Sequence, residues 1–172
     1  MPRVPARYLT MLALVALPAS ASAQAAATDP ACATVRVAMP PELAGWSQQQ
    51  PVSAGTKPGE GATVSVGQAA FVSLHPARHL ALARAAKVAD GNGGTLSLAI
   101  TASGTYRIAL GGKAWVDLVQ GGKAVTSVAH AHGPRCSGVQ KMVDFKLAPG
   151  TYAIQLSGSP DETIALLAAK LA

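Results

Sequence analysis

The sequence predicts an all-β protein, a two-sheet antiparallel sandwich of jelly-roll-like type with about eight or nine strands. Three observations point there. From residue 62 onward apolar residues recur at every second position, the period of a half-buried strand. Clusters of Gly, Pro, Asn and Asp interrupt that pattern roughly every 8–12 residues. An eleven-residue segment also occurs twice, at 102–112 and 148–158, with seven positions identical.

The N-terminus stands apart. Arg3 and Arg7 precede an apolar run over residues 9–17, and small residues lead to Ala21 and Ala23. A basic start, a short apolar stretch and an Ala-x-Ala exit predict a secretory signal peptide over residues 1–23. The run is shorter than the roughly 20 residues that span a bilayer, so no membrane span is expected after cleavage. Removing residues 1–23 of 172 leaves 149, and losing the two arginines takes the net charge from +6 to +4. That length suits one domain with a sizeable core.

Residues 24–61 read as an irregular N-terminal segment, and residues 62–172 as the sandwich. Within the first, 34–38 has the composition of a short strand, while 39–60 carries Pro40, Pro41, Pro51 and Pro58 and no periodicity. Leu43 and Trp46 are placed to tack it onto the domain. Strands are then predicted over 62–66 and 70–74, the second ending at Pro76, which cannot donate to a ladder. Residues 79–88 are ambiguous: their Ala, Leu and Arg content favours helix, whereas Leu80, Leu82 and the neighbouring strands favour β, the reading adopted. Residues 90–94 form a turn.

The repeat follows. Ala102, Gly104, Thr105, Tyr106, Ile108, Leu110 and Gly112 are matched by Ala148, Gly150, Thr151, Tyr152, Ile154, Leu156 and Gly158. Tyr, Ile and Leu lie two apart and share one face of a strand. A further strand precedes each copy, 95–100 and 142–147, so each is expected to be a hairpin. Strands 114–119 and 124–128 flank Gly121 and Gly122, a third hairpin turn. Residues 163–171 make the last strand.

Composition limits the function. Lys and Arg are scattered singly and aromatics make up 4% of the chain, so the basic stripe and stacking rings of a nucleic-acid surface are missing. Two cysteines in an exported chain predict a disulfide, Cys32–Cys136, closing a loop of about 100 residues. His130 and His132 are two apart, so on a strand both rings face one way and could share a metal, with Asp144, His75 or His79 as a third donor. Such a set suits a divalent transition metal: zinc, copper or non-haem iron. Solvent-facing histidines at a strand end are the alternative. No nucleophile motif and no phosphate-cradling loop is present. Ser127, His130 and Asp117 could be imagined as a triad, and Trp46 with Trp115 as a carbohydrate platform.

The Gly-Thr-Tyr-x-Ile-x-Leu successions around Tyr106 and Tyr152, with Val116, Asp117, Leu118 and Val119 between them, resemble the bacterial pre-peptidase C-terminal-type sandwich over roughly residues 95–158. That resemblance implies a secreted accessory module that is not itself catalytic. Many such domains hold calcium with acidic residues, which are sparse in these loops. The whole mature chain also resembles a group of short exported sphingomonad-type proteins that often carry the name homogentisate 1,2-dioxygenase. The enzyme of that name is a long cupin holding iron with two histidines and a glutamate. Glu42, Glu60 and Glu162 do not follow the histidine pair at cupin spacing.

The expectation is therefore an exported, non-catalytic β-sandwich with a binding or envelope-accessory role, without a resident cofactor and with a protein or small molecule as ligand. The alternative is a metal-binding protein or metal-dependent dioxygenase-like enzyme built on His130 and His132.

Overall fold

A computed structural model describes residues 30–172; the expected signal peptide and the start of the tail lie outside the described residues. The described residues form twelve strands in two six-stranded sheets that face each other as a sandwich. They are β1 (Gln50–Ser53), β2 (Thr63–Val64), β3 (Ala69–Ser73), β4 (His75–Pro76), β5 (Asn92–Ile100) and β6 (Gly104–Leu110), followed by β7 (Trp115–Gln120), β8 (Lys123–Val125), β9 (Ser127–Ala131), β10 (Lys141–Leu147), β11 (Gly150–Ser159) and β12 (Thr163–Lys170). Sheet one runs β1-β3-β12-β6-β10-β9; sheet two runs β2-β5-β11-β7-β8, with β4 also beside β5. Most ladders are antiparallel, but β1 joins β3 and β2 joins β5 in parallel, so both sheets are mixed.

The two repeat copies are not hairpins. β5 and β6 are consecutive yet lie in different sheets, and so do β10 and β11. Each strand of one copy pairs with a strand of the other: β5 with β11, β6 with β10. The copies are arches that cross between the sheets, and their Gly-Thr-Tyr corner serves that crossing. Tyr106 Oη donates to the Ala102 carbonyl at 2.7 Å, and Tyr152 Oη to the Ala148 carbonyl at 2.9 Å. Both rings then lie in the core with Ile108, Leu110, Ile154 and Leu156. The inward face read from the sequence is thus correct, while the strand partners differ. The hairpin at Gly121 and Gly122 does form, β7 pairing with β8 across two residues at φ +55° and +75°, the backbone that a type I′ turn requires.

Four further expectations are corrected. Residues 34–38 form no strand. Residues 39–60 contribute a 3-10 helix, Pro41–Ser47, and β1. Residues 79–88, read as a strand, form none: His79 closes a 3-10 helix and residues 80–90 are an irregular strap over the outer face of sheet two. The strap lies across the face of the sheet and joins no ladder; Gln155 of β11 holds it, its amide donating to the Arg84 carbonyl at 2.9 Å and accepting from the Arg84 N–H at 3.1 Å. Residues 124–128 also divide, β8 staying in sheet two and β9 passing to the edge of sheet one.

A second apolar cluster covers the outer face of sheet one. Leu43 and Trp46 of the 3-10 helix pack on Ala69, Ala109, Met142 and Leu167. The same helix supplies Glu42 to Arg107, described below. The Cys32–Cys136 disulfide forms, with a Cα–Cα distance of 5.2 Å, and ties the N-terminal segment to the 132–140 loop. Among the described residues no helix is long and apolar enough to cross a membrane.

Candidate functional site

The residues with the most reactive side chains gather around β9, β10 and the loop between them. His130 stands on β9 opposite Val143, whose side chain points into the core. Asp144 is the next residue along β10, opposite Ala129 and Arg107, and alternation turns it to the outer face. His130 and Asp144 therefore leave the sheet on opposite sides. Asp144 is engaged there: Arg107 donates to both carboxylate oxygens, Nε at 2.8 Å and Nη2 at 2.9 Å, and Nη1 donates to Glu42 at 3.0 Å. Bidentate geometry of this kind suits guanidinium and carboxylate. The hydrogen bonds it donates to Asp144 raise the Arg107 pKa above its ordinary value against the opposing effect of burial. The arginine's position was legible as a departure in the repeat, Arg107 in one copy and Ala153 in the other. Its partners were not.

His132 lies just past β9 with Nδ1 2.9 Å from the Gln140 carbonyl oxygen. As a donor Nδ1 leaves Nε2 facing outward with its lone pair, and both histidines are exposed. His75 is elsewhere, on β4, with Nε2 2.9 Å from the Ala54 carbonyl oxygen, and His79 is exposed in the short 3-10 helix Ala77–His79. Among the described residues no group of three or more His, Cys, Asp or Glu side chains is arranged to hold a metal ion. The imagined triad is dispersed as well, since Ser127 and His130 belong to sheet one and Asp117 to sheet two.

Cys136 adopts φ +62°, a left-handed conformation that side chains other than glycine seldom take. The disulfide and the adjoining turn hold it there.

A second constellation lies on the outer face of sheet two. Trp115 begins β7 and is 40% exposed. Lys141 Nζ sits 5.0 Å from the centre of its ring and Lys87 Nζ, from the strap, 5.8 Å, both within cation–π range. Lys141 also donates to the Ala114 carbonyl at 3.0 Å. Burial pushes the Lys141 ammonium below its ordinary pKa, and the nearby Asp117 carboxylate opposes that shift. Trp46, by contrast, is buried under the 3-10 helix, so the two tryptophans do not form a shared platform. Sequence reading singled out Trp115 but had no signal for the lysines, which arrive from the strap and from the opposite sheet.

Comparison with known proteins leaves the functional assignment to this geometry: no family model matches the chain, and no match is found among curated proteins.

Proposed function

We propose that the chain is an exported, non-catalytic β-sandwich module with a binding or envelope-accessory role. The observation that carries this reading is that three of the reactive residues around β9 and β10 are occupied in holding the fold together. Cys136 is bonded to Cys32, Asp144 is held by Arg107, and His132 is fixed on the Gln140 carbonyl. Export is supported by the signal-like N-terminus and by a disulfide, which persists in oxidising compartments. The resemblance to pre-peptidase C-terminal-type modules agrees with an accessory role.

A second reading keeps the histidine pair as a transition-metal site. It is favoured by one observation, the contact of His132 Nδ1 with a backbone carbonyl, which is the outer-shell partner that ligating histidines usually have. A two-histidine, one-carboxylate iron centre would need a different carboxylate from Asp144.

Elemental analysis of the purified mature protein, with and without His130→Ala/His132→Ala, separates the two. The accessory reading expects sub-stoichiometric metal unchanged by the substitutions. One equivalent of a transition metal in the wild type, lost in the double variant, overturns it. Intact-mass analysis of exported protein should give a chain beginning at Gln24 with its two cysteines oxidised.

A further inference from the structure

The strap that crosses sheet two combines three properties. It is apolar: Leu80, Leu82 and Val88 are set among five alanines, and Val88 is 44% exposed. Its charge is mainly basic: Arg84 and Lys87 lie within it and Arg78 just before it, against Asp90 at its end. It is also lightly held, since outside its ends its backbone bonds are the Gln155 clasp on Arg84 and the Ala81 N–H to the Thr56 carbonyl at 2.8 Å. A half-open pocket of about 220 Å³ is lined by Leu80, Leu82 and Val88 together with Ser157 of β11, among others. Beside it stands exposed Trp115, with Lys87 and Lys141 over its ring.

We infer that this face docks on an anionic lipid surface, with Leu80, Leu82, Val88 and Trp115 entering the interface and Arg78, Arg84, Lys87 and Lys141 meeting the headgroup phosphates. This deepens the proposed accessory role and rests on it only for the compartment. Charge complementarity selects the partner: against these cations the face presents Asp90 at the end of the strap and Asp117, which lies against Lys141. The apolar residues select a bilayer over a soluble acidic polymer, because Leu and Val side chains gain only where a hydrocarbon phase can receive them. Indole rings favour the same boundary, one edge apolar and the N–H wet. The strap is also rich in strong helix formers, Ala, Leu, Arg and Lys, although it is irregular in the free protein. At a membrane it can gain helical hydrogen bonds that sheet two does not provide.

The test is sedimentation of the mature protein with vesicles of phosphatidylcholine alone, or with about one third phosphatidylglycerol, at low and high salt. Binding is expected only to the anionic vesicles, with a blue shift of tryptophan emission that Trp115→Phe removes. Each cation removed should weaken binding about fivefold at low salt, read on Arg84→Gln and Lys87→Gln. Leu82→Ser/Val88→Ser should lose binding while its melting temperature shows that the sandwich still folds. Equal binding to both vesicle types, no binding to either, or undiminished binding by these variants overturns the inference. So does competition by a soluble polyphosphate as strong as by anionic vesicles, which would assign the face to an acidic polymer. His130→Ala/His132→Ala should bind vesicles as the wild type does. Metal content and vesicle binding therefore fail independently.

Discussion

Tyr106 and Tyr152 stand forty-six residues apart and make the same bond, each hydroxyl donating to the carbonyl four residues upstream, on Ala102 and Ala148. Each bond braces a crossing between the sheets, and the two crossings interlock, the strands of one copy pairing with those of the other. Replacing either tyrosine by phenylalanine keeps the ring in the core and deletes one bond. Urea unfolding should show a loss of about 1 kcal/mol for each. Tyr152→Phe should cost more, because its hydroxyl also lies 3.2 Å from the Ala148 N–H, which would be left without it.

Arg107 neutralises Asp144 on a face largely closed off by the 3-10 helix, with side chains 17% and 10% exposed. Arg107→Met should destabilise the protein by about 3 kcal/mol, because it strands a carboxylate in poor solvent. Arg107→Met/Asp144→Leu should recover most of that loss. Glu42→Gln should cost less than about 1 kcal/mol, since Glu42 is the more exposed of the two acids and Arg107 keeps its bidentate partner. A double-mutant cycle by chemical denaturation checks all three.

The disulfide joins residues 104 apart in sequence. In the chain-entropy account a loop of that length contributes up to about 4–5 kcal/mol, by confining the unfolded chain. Cys32→Ser/Cys136→Ser should therefore lower the denaturation midpoint substantially while near-UV circular dichroism stays native. An unchanged midpoint would show that the helix packing alone ties the N-terminal segment down.

Gln155 is 1% exposed, and its whole amide is spent on the backbone of Arg84. Gln155→Leu removes both bonds and should free the strap without disturbing sheet two. Amide hydrogen exchange should accelerate across residues 80–90 and remain slow in β11.

Lys141 offers a pH signature. Its midpoint lies below the ordinary 10.5 in the folded state because burial disfavours the ammonium. The unfolded state then binds more protons between the folded midpoint and 10.5, so this group's contribution to stability rises with pH across that window. A ¹³C-detected lysine titration should show one lysine titrating early, and Asp117→Asn should lower that midpoint further.

Much of this is legible in the sequence. Period-two alternation placed Tyr106, Ile108, Leu110 and their counterparts on the core face, because side chains alternate on every strand whatever its partner. Cys32 and Cys136 could be paired because a chain with two cysteines has one way to oxidise them internally. Gly121 and Gly122 announced their hairpin through the positive φ values that only such residues accept readily.

The pairing of the repeat was not readable in this way. A glycine corner between two alternating segments serves a hairpin and an arch equally well. Which one forms depends on whether the segments bond edge to edge or pack face to face, and partners far along the chain settle that. Asp144 shows the same dependence. As a carboxylate near His130 it suited a ligand set, but the pleat turns the two to opposite faces and the adjacent strand brings Arg107. The strap is the third case: its composition favours helix, its surroundings favour strand, and the buried Gln155 amide holds it as neither.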